Sequence, residues 1–290
     1  RACRQFADNC GFTIAESAQM VVLMDDALAM ELGATIYGAG TEVFVNADGH
    51  KKSIAGPGVG NYITMAKAVA AARAVVGAKG LRSGGLVQAH GTGTPQNRVT
   101  ESEIFDRVAG AFGIENWPVA ALKSYLGHSL GSASGDQITA TLGSWACGLI
   151  PGINTIDSLA GDVKAEHLAF SREHRQIDPE EQSYAIINAK GFGGNNASAT
   201  MLSPATVNRM LKARYSRSEW SAWERANETV RAAQEAYDDE VIAGDMPPVY
   251  KFDHGVLGDD DVVLNEHEVV VDGRSVNLDL DSPFDDMRVD

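Results

Sequence analysis

Through most of the chain, short apolar runs alternate with longer stretches whose apolar residues recur at helical spacing, and loops rich in glycine and proline separate them. The pattern predicts a strand over 18–24, a short helix over 26–32 and a strand over 35–38. A loop with His50 as a surface residue follows over 46–60, and then an alanine-rich packed helix over 62–79. The run GLVQAH at 85–90 predicts a strand, ended by the glycines and proline of HGTGTP. A helix over 100–112 follows, with Thr100 and Glu103 placed as a capping box. Next come a buried strand over 119–122, a tight turn bearing Lys123 and His128, and a helix over 137–148 with Trp145 and Cys147 as packing residues. Residues 157–181 are polar and irregular, and their His167 and His174 are expected as solvated loop histidines. An apolar strand over 183–188 runs into the glycine-rich loop KGFGGNN, and ASATML forms the next strand. Beyond it the pattern predicts one long helix over 207–242 and, near the end, a hairpin turning at Asp272-Gly273.

Strands alternating with helices mark an α/β chain, and 44% hydrophobic with 22% charged residues is ordinary for a globular enzyme of 290 residues. Charge changes the picture at one end. Residues 206–290 hold 9 Lys or Arg against 20 Asp or Glu, a charge of -11 out of the total of -15. This divides the chain into a core over 1–205 and an acidic extension over 206–290. Such acidity argues against nucleic acid as a partner, because binding phosphates depends on Lys and Arg. No apolar run is long enough to span a bilayer. Cys3, Cys10 and Cys147 fit neither a disulfide framework nor a metal-binding spacing, so a reducing, cytoplasmic setting is expected.

His90 stands at the carboxyl end of a predicted strand, where open α/β sheets place ligand contacts. The turn at 127–131 admits two readings. GHSLG is a G-x-S-x-G elbow that would make Ser129 a nucleophile. Alternatively, in K-x-x-x-G-H, His128 points into a pocket as a hydrogen-bond donor with Lys123 beside it. The KGFGGNN loop lacks the Lys-Ser/Thr of a P-loop and precedes a strand, which disfavours a nucleotide site.

Taken together and in this order, HGTGTP, KSYLGH and GFGGNN resemble the β-ketoacyl synthases, the condensing enzymes of fatty acid and polyketide synthesis. The resemblance covers residues 11–202. It implies a thiolase-like fold, an αβαβα layered sandwich of which this chain would supply the second half and the end of the first, commonly a homodimer. It also implies decarboxylative condensation of an acyl thioester with malonyl on acyl carrier protein, with no metal and no cofactor. His90 and His128 correspond to the family's two histidines, and Lys123 to the lysine that organises them. Thr92 and Thr94 match contacts to the pantetheine arm, and Phe192, with Gly193, matches the gating phenylalanine loop. Decarboxylation builds enolate charge on a thioester oxygen, and removing one preorganised donor to such an oxyanion costs about 3 to 4 kcal/mol.

The chain also departs from the family pattern. Gln137 stands where an acid is common, Arg98 where Asp is common, and Lys190 where Phe often precedes GFGG. None of the three cysteines occupies the position of the family's acyl-accepting cysteine, which is expected upstream. Two alternatives stay open: a non-catalytic partner subunit of the same fold, and a malonyl acyltransferase using Ser129. The 206–290 extension is expected to pack Trp220 and Trp223 against the core or a second subunit.

Overall fold

Leu86 and Val87, neighbours on one strand, are both fully buried but on opposite faces of a sheet, and each face carries its own core. The structure, a computed structural model, describes residues 3–9, 11–49, 58–246 and 252–287. Contacts divide it into two units, Arg1–Gln234 and Glu235–Asp290.

The first unit opens with helix α1 (Asp26–Glu31) and strand β1 (Ala39–Ala47). Helix α2 (Val59–Ser83), strand β2 (Gly85–Gln88), helix α3 (Pro95–Phe112) and strand β3 (Trp117–Ala120) follow. One turn of helix, α4 (Lys123–Leu126), leads through a 3-10 turn into α5 (Ala133–Cys147). Short strands β4 (Leu149–Ile150), β5 (Leu168–Ala169) and β6 (Arg175–Gln176) precede the long pair β7 (Tyr184–Gly191) and β8 (Asn195–Leu202). Helices α6 (Pro204–Arg214) and α7 (Arg217–Ala243) come last. The sheet order is β1-β8-β7-β2-β3-β5. Strands β7, β2, β3 and β5 run parallel, while β8 and β1 add an antiparallel edge. Val87, Val119, Tyr184 and Ile186 face α2 and α3, and Leu86, Ala120, Ala185 and Ile187 pack with Trp145 of α5 on the other side. Helices on both faces of a mostly parallel sheet give the layered α/β arrangement expected from the alternation.

Several expectations need correction. No strand forms over 18–24: the apolar residues there lie in chain without regular secondary structure, with Met20 98% and Leu23 86% exposed. The strand expected at 35–38 begins later, at Ala39. Helix α3 starts at Pro95, whose fixed φ suits the first helical position, and Thr100 lies inside it with its hydroxyl donating to the Gln96 carbonyl at 2.8 Å. The single helix expected over 207–242 is two helices. Ser216 and Glu219 form a capping box at the break, the Ser216 N–H donating to the Glu219 carboxylate at 2.7 Å and the Glu219 N–H to Ser216 Oγ at 3.3 Å. Cys147 is exposed at the end of α5 and is not a packing residue. The loop expected over 46–60 lies mostly outside the described residues, as do His50 and Cys10, but Asn46 and Ala47 belong to β1.

Trp220 and Trp223 of α7 are buried in the same core as Val87, their rings 4.5 Å apart, and the Trp223 indole donates to the Ala34 carbonyl at 3.2 Å. In the second unit, β9 (Val262–Leu264), β10 (Glu268–Val271) and β11 (Arg274–Asn277) form a three-stranded antiparallel sheet. Val271 pairs with Arg274 across the expected Asp272-Gly273 turn, where both residues take positive φ, 48° and 72°. Among the described residues, no helix is long and apolar enough to cross a membrane.

Candidate active site

Strand β2 ends at Gln88, and the chain turns off the sheet through Ala89, His90 and Gly91. This exit is gripped from both sides. From α3, the fully buried Glu101 accepts from the N–H of His90 at 2.7 Å and of Gly91 at 2.8 Å. The same carboxylate accepts from Asn97 at 2.9 Å and from Asn188 of β7 at 2.8 Å, so four donors hold it. From α5, Gln137 Nε2 donates to the carbonyls of Ala89 at 2.7 Å and of Gln88 and Asn188 at 3.1 Å.

The neighbouring strand β3 leads into α4, which carries Lys123 at its start and ends at Gly127. Gly127 has φ 79°, and a Cβ there would meet the Thr13 carbonyl oxygen at 2.9 Å, so only glycine lets the amino-terminal segment pass this close. That segment lies against the next residue: the His128 N–H donates to Thr13 O at 2.7 Å and the Ala15 N–H to His128 O at 3.0 Å. It also reaches the first loop, the Gly11 N–H donating to Gly93 O at 2.8 Å. Residues 11–15 thus join the His90 and His128 loops, a linkage that local pattern did not suggest. Arg98 anchors the chain just before it, donating to Ala7 O at 3.0 Å while pairing with Asp162 at 2.8 and 2.9 Å.

His90 and His128 meet with ring centroids 5.2 Å apart in an edge-on arrangement. The Leu130 N–H donates to His128 Nδ1 at 3.0 Å, so in the neutral ring the proton sits on Nε2. Phe12 covers the other side of His128 at 5.2 Å. Burial first, then the charges of Lys123, His128 and Lys190, hold His90 well below the usual histidine range. Burial and then Lys123 bring His128 down to about 4. Burial likewise brings Lys123 down to about 8, against the pull of Glu101 and Asp136. Its Nζ is buried with no hydrogen-bond partner among the described residues. The result is two neutral imidazoles and a lysine, all buried, a set suited to stabilising developing negative charge on an oxygen.

Other expected residues lie around this centre. Thr92 is buried and Thr94 half-buried in the loop after His90, their hydroxyls 3.0 Å apart. Phe192 and Gly193 occupy the turn between β7 and β8, where Phe192 is 73% exposed and, among the described residues, makes no ring contact with either histidine. Ser129 is buried, and its hydroxyl donates to the Asp136 carboxylate, which Gln19 also contacts. Among the described residues it therefore lacks the histidine base that a nucleophilic serine needs. His167 and His174 are not simply solvated: His167 pairs with Glu115 at 3.0 Å, and His174 accepts from the Gly152 N–H at 3.3 Å. Reading the chain for motifs left out Glu101 and Asn188. The signal for Glu101 was an acid on the inner face of the helix that follows HGTGTP; Asn188 at a strand end offered none.

Residues 37–157 match the family described as Beta-ketoacyl synthase, C-terminal domain. The chain is 50% identical over 290 residues to the Beta-ketoacyl-[acyl-carrier-protein] synthase FabY of Pseudomonas aeruginosa, covering 99% of this chain and 45% of that protein. The crystal structure of the ketosynthase FabY from that organism superposes with a TM-score of 0.86 at 48% identity, covering 99% of this chain and 45% of that one. The 3-oxoacyl-[acyl-carrier-protein] synthase 2 of Vibrio cholerae is 30% identical over 192 residues, 66% of this chain and 44% of that protein. The chain thus spans somewhat under half the length of the relatives it matches, and its fold is thiolase-like. With the family's C-terminal domain matched over the two histidine loops and this likeness along its whole length, the chain belongs to the β-ketoacyl synthase family.

Proposed function

We propose that this chain supplies the decarboxylating half of a β-ketoacyl synthase that condenses an acyl thioester with malonyl carried on acyl carrier protein. The observation that carries the reading is the His90 and His128 pair, T-shaped with centroids 5.2 Å apart and both held neutral by burial and by Lys123. The bond from malonyl carbon to its carboxylate breaks, carbon dioxide leaves, and the electron pair passes into an enolate. The two imidazoles donate to the enolate oxygen. The enolate carbon then attacks the acyl thioester carbonyl, and the thiolate that carried the acyl group departs.

The acyl group rides on a cysteine supplied from outside this stretch. Cys147 is exposed at the far end of α5, and Cys3 donates to the Thr13 hydroxyl at 3.3 Å. Thr92 and Thr94 contact the pantetheine arm, and the exposed Phe192 gates the acyl pocket. The working form is a cytoplasmic homodimer with no metal or cofactor, and the acidic stretch expected over 206–290 contributes α6 and the start of α7 to the core, its separate unit beginning at Glu235.

The test is carbon dioxide release from malonyl-loaded acyl carrier protein by the intact protein that contains this chain. His90→Ala and His128→Ala should each lower it severely. Undiminished release in both variants overturns the reading.

A further inference from the structure

His90 has a peculiarity that its role does not explain: among the described residues its buried Nδ1 has no hydrogen-bond partner, whereas His128 Nδ1 is held by the Leu130 N–H. No hydrogen bond at Nδ1 turns or holds the His90 imidazole. Beside its edge-on contact with His128, the ring takes its orientation from the peptide that carries it, and that peptide is held from two sides. Glu101 takes the two N–H groups of His90 and Gly91. Gln137 gives its amide hydrogens to the carbonyls of Gln88 and Ala89, just before His90, and to that of Asn188 on the adjacent strand.

We infer that Gln137 is a positioning residue for His90, its side-chain amide locking the ends of β2 and β7 together so that the imidazole faces the substrate. Three converging carbonyl oxygens require a donor, and they fix which end of the Gln137 amide faces them. An ionised acid at this position, the residue type more common there in the family, would face three oxygens with a fourth negative group and could donate to none. It would also draw a proton onto His90, because a nearby carboxylate favours the charged imidazole. Lys123 needs no carboxylate here, since the charges of Glu101 and Asp136 already favour its ammonium form. The amide at 137 therefore holds the strand ends and leaves the histidine neutral.

This inference rests on the proposed decarboxylation, and the test separates the two. In the intact protein, Gln137→Met keeps length and burial but removes the donor, and Gln137→Glu replaces it with an acid. Expected for both are a fall of at least tenfold in kcat for malonyl decarboxylation and a KM within about twofold of the parent, with the melting temperature showing the variant folded at assay temperature. Unchanged kcat in Gln137→Met, or a loss accounted for by the unfolded fraction alone, overturns the positioning role. His90→Ala, run beside them, identifies which idea fails: if it retains decarboxylation the functional reading is wrong, and if it alone loses activity only the role of Gln137 is wrong. Should neither variant fold, exchange of the Gln137 side-chain amide hydrogens in the parent protein decides. Strongly slowed exchange supports the lock, and exchange at the solvent rate overturns it.

Discussion

Leu130 donates its backbone N–H to His128 Nδ1 at 3.0 Å, and it does so from a left-handed conformation, φ 59°, that non-glycine residues seldom adopt. The turn thus puts one residue in an uncommon conformation that fixes the imidazole of its neighbour. The His128 proton is expected on Nε2, and nitrogen NMR of the imidazole at neutral pH should show that tautomer alone. A mixture of tautomers would mean that the Leu130 contact does not persist.

Replacing the histidine and the adjacent serine should separate the two readings of the GHSLG turn. His128→Ala in the intact protein should slow malonyl decarboxylation by about 100- to 1000-fold, the loss seen when one oxyanion donor is removed. Ser129→Ala removes a hydroxyl that donates to Asp136 but takes no part in the reaction, and its effect on the rate should stay within about tenfold. Steady-state rates of carbon dioxide release measure both. A larger loss with Ser129→Ala than with His128→Ala would restore the serine elbow.

The pH profile carries the sign of the histidine shifts. A histidine at its ordinary value is half protonated near 6.5, and in His128 that second proton would sit on Nδ1 and break the Leu130 contact that orients the ring. With His128 at about 4 and His90 also well below the usual range, both stay neutral, and decarboxylation should be flat from about pH 5.5 to 7.5. On the alkaline side Lys123 loses its charge near 8, withdrawing a positive field from the oxyanion, and the rate should fall. A half-maximal point near 6.5 on the acid limb contradicts this electrostatic account.

How much of this was legible in the sequence depends on whether the signal was local. The His90 and Lys123-to-His128 loops stand out because a strand, a glycine-rich exit and a polar residue occur in consecutive positions, and the structure brings those loops together. The hairpin at Asp272-Gly273 was legible for the same reason, since turn chemistry is written in two residues. The segment 18–24 misled because its apolar pattern suits a strand, and only the fold decides whether a partner strand is there. The Ser216 and Glu219 capping box was present in the sequence but hidden inside a continuous helical pattern. Glu101, Asn188 and Gln137 come from α3, β7 and α5, so their meeting around the His90 peptide is a property of layer packing that no single stretch contains.

Glu101 should matter for stability as well as for the site. A glutamine there can keep two of the four contacts as acceptor but presents a donor to the other N–H groups. Hydrogen bonds to a charged acceptor are worth about 1.5 to 3 kcal/mol each, so Glu101→Gln should destabilise by about 3 kcal/mol or more. Denaturant unfolding measures it, and a loss below about 1 kcal/mol would show that the buried carboxylate is not the hub its contacts suggest.

The carboxyl-terminal region should split at a defined place. Trp220 and Trp223 share the core with Val87 and Tyr184, and the Lys212 ammonium sits 4.8 Å over the Trp220 ring. Residues from Glu235 onward form a separate unit with its own small sheet. Truncation before Glu235 should therefore leave the unfolding transition of the first unit nearly unchanged, whereas truncation after Ala205 removes two buried indoles together with Val207 and Leu211. Trp220→Ala alone should cost about 3 to 5 kcal/mol, as loss of a buried aromatic does. Thermal unfolding of the two truncated forms and of the point variant provides the comparison. If the form ending at Ala205 melts with the parent, the tryptophans cover the core without stabilising it, and the burial of α7 contributes nothing to the fold.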